Sequence, residues 1–527
     1  MNQKIFGDSK IGKKMSCGRT KAETLVKEVL APKAVRDVIN VLLPVVPGQK
    51  PLPFCIQTDA SNKGNRKMFP IAVQYFTPED GVHHKIIDFV ENPDETAEGI
   101  VSCIVQSLEK LGLSLNQVSA FSADNTNVNY GIHKSVYTKL CNIQKDLLPG
   151  NCHAHIVHNT VKHALHNLSI DVENVVLKIY SFFSSSAKRR ESLKEFCEFC
   201  DVEFREMLRH VTTRWLSLNP AVSRILQSWT ALKSYFISLG EECPKQIRAA
   251  LKLPSDAEEV NAEEPDVIQV YLLFCNNILS IFEEVVKKLE RNDTTVIELY
   301  PIMKEFRDKL VQRRKDRFYG YLTKVRLEQI SASEANTAKA DFQAFLSTAI
   351  TYIEKWFDFS DGNWLSSLYP FSLKAEITFS DVQKVIEKLN MISRLNINMD
   401  ELYDELTVIN AAVGRQRKES DWKFKDSVSK WMVLFQTCDL PNMLSVMSYV
   451  LSVPSSTGYV ERIFSIMQNK WSETRNRCSV ELIKSELMVT LNFEERCDEF
   501  FTNIRGDKNL LAAARSNKKY TWKLENA

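Results

Sequence analysis

Strand-forming patterns in this 527-residue chain are crowded into one early stretch, and that crowding limits its architecture more than any other feature. Pro44, Pro47, Pro51 and Pro53 interrupt the chain just before it, as residues that fix φ and lack a donor do. Residues 54–59 read as a first strand, 68–76 as a second and 85–90 as a third. Thr77-Pro78-Glu79-Asp80-Gly81 supplies turn chemistry between the last two, so the pair is expected to form a hairpin. A helix over about 96–111 returns the chain to a strand beginning at Val118. From about Asp171 onward helical spacing takes over, first in Val175, Val176, Ile179, Phe182 and Phe183.

Further helices are expected over 203–208, 220–239, 267–289 and 335–357. Another should begin at the capping box Ser380-Asp381-Val382-Gln383 and run to about Leu395. Thr20-Lys21-Ala22-Glu23 has the same pattern ahead of Val26, Val29 and Leu30. Residues 256–266 are acidic and contain Pro265, which suits a surface loop. Late in the chain, 441–453 and 480–493 are apolar on most faces, so these segments must be buried in the core or against another subunit. No repeat at a fixed period is apparent.

The length exceeds what one ordinary core organises, so two or three units are expected. A hydrophobic fraction of 44% and a charged fraction of 25% are those of an ordinary globular chain. No apolar run reaches the roughly 18 residues of a membrane span, and Met1-Asn2-Gln3-Lys4 lacks the apolar core of a secretory signal. Twelve irregularly spaced cysteines suit a reducing compartment. Net charge is only +2, but 68 Lys and Arg leave room for a local basic face.

Two strands end in acids. Asp59 closes Phe54-Cys55-Ile56-Gln57-Thr58, and Asp124 closes Val118-Ser119-Ala120-Phe121-Ser122-Ala123. A carboxylate there points into the cleft where open sheets build sites, although acids after strands also serve as helix caps. Glu461 lies in a small-residue lead into a helix, Ser455-Ser456-Thr457-Gly458-Tyr459-Val460-Glu461. Cys152, His153, His155, His158, His163 and His166 crowd one segment, and Cys197-Glu198-Phe199-Cys200 offers a C-x-x-C. Four such ligands formally suit zinc, but beside Phe196 and Phe199 cysteine reads better as a small core residue. Arg214-Trp215 is either a core anchor with a solvated neighbour or an aromatic face for an unstacked base, with a guanidinium for phosphate.

Taken in order, Thr58-Asp59, Ala123-Asp124-Asn125, Cys152-His153-Ala154-His155, Thr213-Arg214-Trp215-Leu216 and Ser455 through Ser465 resemble the motifs of hAT superfamily transposases and of host proteins derived from them. Residues 441–493 are similar to that family's C-terminal dimerisation region. The resemblance implies an α/β, ribonuclease H-like fold interrupted by a large all-helical insertion. Its parts would be a basic tail and helix (1–50), the first part of the catalytic domain (51–215), the insertion (216–435), the remainder with the dimerisation region (436–500) and a tail (501–527). It implies cut-and-paste DNA transposition with Asp59, Asp124 and Glu461 as catalytic, metal-binding acids for Mg2+ or Mn2+. Two such ions activate an attacking oxygen and stabilise a leaving one. The resemblance further implies DNA contacts at Arg214, Trp215, His155 and Cys152, self-association as a dimer or higher oligomer, and a nuclear location.

The chain departs from the family in one respect: before Asp59 it has only Cys17 and Cys55 and no histidine, so no Cys/His finger assembles there. The run Lys10–Lys14 reads as a DNA contact, a nuclear address or a solvated tail. The alternative to an active enzyme is a domesticated nuclear protein that keeps the DNA-binding and dimer surfaces and no longer cuts.

Overall fold

A computed structural model describes residues 17–43, 50–211, 217–251, 253, 266–291 and 294–520. Residues 256–265 of the acidic loop expected over 256–266, the Lys10–Lys14 run and the Arg214-Trp215 pair lie outside the described residues. The chain is mixed α/β and divides into two compact units, one formed by residues 1–152 and 370–527, the other by 153–369.

The first unit is organised by a mixed sheet. Its strands are β1 (Phe54–Gln57), β2 (Ser61–Lys63), β3 (Arg66–Thr77), β4 (Gly81–Glu91), β5 (Val118–Ser122) and β6 (Leu148–Pro149). β3 and β4 form the expected hairpin, with Thr77 opposite Gly81. Gly81 has a φ of 86°, a left-handed conformation that glycine adopts without strain. β1 pairs antiparallel with β3 and parallel with β5, which pairs parallel with β6. The short β2 continues beside the start of β3. β2 and β6 escape sequence reading because neither is long enough to show a period of two.

Alternation along β3 divides the core. Phe69, Ile71, Val73 and Tyr75 join Ile100, Ile104 and Leu108 of the Ala97–Lys110 helix on one face. Met68 and Ala72 join Val460, Ile463, Met467, Ile483 and Leu487 on the other. Those last five come from the Gly458–Lys470 and Val480–Asn492 helices. The Pro441–Ser452 helix is also buried, and Gln74 Nε2 donates to the Leu451 carbonyl at 2.9 Å. The apolar excess of 441–493 is therefore covered mainly by the chain's own sheet.

Several expected helices are revised. The first begins at Arg19 with Gly18 as its N-cap, and no side chain caps it; the Thr20 box does not form. Residues 202–211 are not helical, because Asp201 turns left-handed (φ 55°) and Val202 N–H closes the preceding helix on the Cys197 carbonyl. The 220–239 segment is two helices, Leu218–Gln227 and Trp229–Ser238, broken at Ser228. Thr378, not Ser380, caps the Phe379–Lys388 helix, with Asp381 completing the box from N3. That helix stops before Asn390, whose φ is 49°, and Met391–Leu395 follows separately.

The described residues of the second unit contain helices and no strand. Its central helix, Val267–Leu289, is long and apolar enough by composition to cross a membrane, but 61% of its most apolar window is buried inside the protein. Phe274 stacks on Phe342 of the Ala332–Trp356 helix with centroids 3.9 Å apart. Cys197 is buried near the end of the Ala187–Phe199 helix, and Cys200 caps it.

Candidate active site

The parallel register of β1 and β5 places Gln57 opposite Ser122. Asp59 and Asp124 each follow two residues later, so the two acids leave the carboxyl ends of adjacent strands side by side. Thr58 N–H still donates to the Ser122 carbonyl at 3.0 Å, which holds the strands together up to the acids. Both line one cleft of about 220 Å³, with Lys67, Glu95 and Asn129 among its other walls. Lys67 and Glu95 are ion-paired at 2.9 Å.

Each carboxylate is fixed by short local bonds. Asp59 Oδ1 accepts the Ala60 N–H at 2.7 Å. Asp124 Oδ1 accepts Asn129 Nδ2 at 2.5 Å and the Thr126 hydroxyl at 3.2 Å. Thr126 also caps the Asn127–Tyr130 turn that carries Asn129. Glu461 arrives from far along the chain, in the first turn of the Gly458–Lys470 helix. One of its carboxylate oxygens lies within 4.8 Å of one from Asp59. Two anionic oxygens so close repel each other unless a cation neutralises them, and hard divalent ions take such oxygens as ligands. The buried Thr58 Oγ1, Ser122 Oγ, Asn129 Oδ1 and Thr457 Oγ1 accept or donate no hydrogen bond among the described residues. Thr58 and Asn129 line the cleft itself, and polar atoms left unsatisfied there suit a site that takes ions or water. The donor set therefore fits a divalent metal.

Cys152 ties the acids together. Its N–H donates to the Ala123 carbonyl at 3.3 Å, and its carbonyl accepts Asn125 Nδ2 at 2.7 Å, so it grips both flanks of Asp124. Its fully buried thiol accepts the Thr457 N–H at 3.3 Å, just ahead of the Glu461 helix. The part Cys152 plays in this structure is to position that loop and helix. His155 is half-buried in the first turn of the His153–Leu165 helix of the second unit. Arg214 and Trp215 lie outside the described residues. Sequence reasoning missed Asn129, Lys67 and Glu95; Thr126 followed three residues later by Asn129 is the one local signal of a cap near Asp124.

Residues 415–490 match the sequence model of the hAT family C-terminal dimerisation region. The match supports kinship of this region with hAT-family transposases and their derivatives. The match spans the Ser427–Thr437, Pro441–Ser452 and Gly458–Lys470 helices and most of Val480–Asn492. The region carries Glu461, and its family role supports self-association.

Proposed function

We propose that this protein cuts and joins DNA strands as a metal-dependent transposase, on a ribonuclease H-like fold, in the nucleus. The observation that carries the reading is the approach of Glu461 to Asp59 at the sheet edge that also bears Asp124. Mg2+ or Mn2+ would be held by these three acids, and bound ions would supply activation of an attacking oxygen and stabilisation of a leaving one. The protein's own contribution is placement. The β1–β5 register sets Asp59 beside Asp124, Asn129 fixes the rotamer of Asp124, and Cys152 holds the start of the Glu461 helix. Arg214, Trp215 and His155 are the proposed DNA contacts, and the Lys10–Lys14 run is the proposed nuclear address.

The test incubates the protein with terminal-repeat DNA and Mn2+ and measures nicking. Asp59→Asn, Asp124→Asn and Glu461→Gln should each lower the rate by at least about a hundredfold. Wild-type nicking no greater than that of Asp124→Ala would overturn the proposal. A Mn2+-dependent rise in melting temperature, present in the wild type and lost in Asp59→Asn, checks ion binding separately.

A further inference from the structure

The second unit holds a pocket of about 480 Å³ bordered by Arg317, Phe318, Lys324, Glu328, Lys339 and Gln343. That volume lies within the range of small-ligand sites. Three of these residues are cationic and one is acidic, and none of the four makes an ion pair among the described residues. Like charges gathered in one concavity repel, and an anion entering it relieves that repulsion.

Two further observations define the anion. Phe318 is 42% exposed at the wall, with the Arg313 guanidinium 5.1 Å from its ring centroid, so the ring is held in place while a face remains for stacking. Gln343 donates through Nε2 to the Arg314 carbonyl at 3.1 Å, while its buried Oε1 accepts no hydrogen bond among the described residues. An anion recognised here should therefore carry a flat ring and an N–H donor.

The backbone points the same way. Arg317 closes the Val296–Asp316 helix in the left-handed conformation, with a φ of 50°. Its N–H bonds the Arg314 carbonyl and the Phe318 N–H bonds the Arg313 carbonyl, a helix ending that glycine makes without strain. An arginine at that position sets a guanidinium at the pocket mouth at the expense of local stability.

We propose that this pocket binds a nucleoside phosphate: phosphate against Arg317, Lys324 and Lys339, base on Phe318, exocyclic amine on Gln343. The intended source is one nucleotide of a single DNA strand; only that choice of source rests on the DNA-acting reading above.

Binding of a labelled single-stranded oligonucleotide of about 15 nucleotides is measured by anisotropy on the full chain. EDTA is present throughout, so that cleavage plays no part, and dAMP serves as the free-nucleotide probe. Arg317→Gly should weaken strand binding about fivefold while leaving the melting temperature unchanged or higher, which excludes misfolding as the cause. Lys324→Ala with Lys339→Ala should reduce the salt slope of binding by about 1.4. Loss of dAMP binding in these variants with strand binding intact would support the same chemistry with a free nucleotide as its source. Unchanged binding of both probes in both variants would overturn the site. That outcome would leave metal-dependent nicking by the three acids untouched, and failed nicking would leave this pocket untouched.

Discussion

At His84, burial on β4, with His83 beside it, pushes the imidazole down to about 4; its ring stacks on Tyr459, two residues before Glu461. An unfolded chain binds that proton near pH 6.5. Between about pH 6.5 and 4 the unfolded state therefore holds more protons, and stability rises with pH across that window. Denaturation of the wild type should show about 2 kcal/mol less stability at pH 5 than at pH 7.5 from this residue, and His84→Gln should flatten the difference. Cys152 offers a second residue-scale test. Cys152→Ala strips the buried Thr457 N–H of its acceptor and should cost about 1–3 kcal/mol, whereas Cys152→Ser restores an acceptor and should recover part of the loss. Denaturant midpoints distinguish the two. The Cys152 sulfur accepts the Thr457 N–H, and nothing in Cys-x-x-His spacing reveals a partner so much later in the chain.

At the scale of elements, the Val480–Asn492 helix is fastened to β4 by polar contacts that periodicity does not show. Asn492 Oδ1 accepts the Ile86 N–H at 2.9 Å and Nδ2 donates to the Ile86 carbonyl at 2.8 Å, so one side chain acts as a neighbouring strand would. Lys484 Nζ meets Asp88 Oδ1 at 2.5 Å with both side chains largely buried. Burial pushes the Asp88 carboxyl up, but Lys484 and bonds from Ser107 and the Phe89 N–H outweigh it and hold it below its ordinary value. Lys484→Met leaves that carboxylate buried without its cation and should destabilise the unit by about 3–5 kcal/mol. The double variant with Asp88→Leu should recover much of the loss, as a thermal melt would show. Helix identity was readable in these segments from Ile483 and Leu487. Their partner was not, because an apolar stripe states that a face is buried and not against what.

For the whole molecule, the dimerisation region supplies one face of the sheet unit's core, so it should not behave as a detachable module. A fragment of residues 415–490 should unfold without a cooperative transition, and a chain truncated after residue 440 should expose its sheet and aggregate; circular dichroism and light scattering check both. Self-association should then use surfaces other than the buried Ile463, Met467, Ile483 and Leu487, and the intact protein should scatter light as at least twice its 60.5 kDa. Local pattern was enough for the β3–β4 hairpin, the two strands ending in Asp59 and Asp124, the long helices and the late motif around Glu461. Each depends on neighbours within a few residues, where sterics and alternation act directly. Packing in three dimensions settled which helices joined the sheet, that Glu461 comes within 4.8 Å of Asp59, and that the apolar face of 441–492 turns inward. Those outcomes depend on which distant surfaces exclude water together, a property of packing that no local pattern carries.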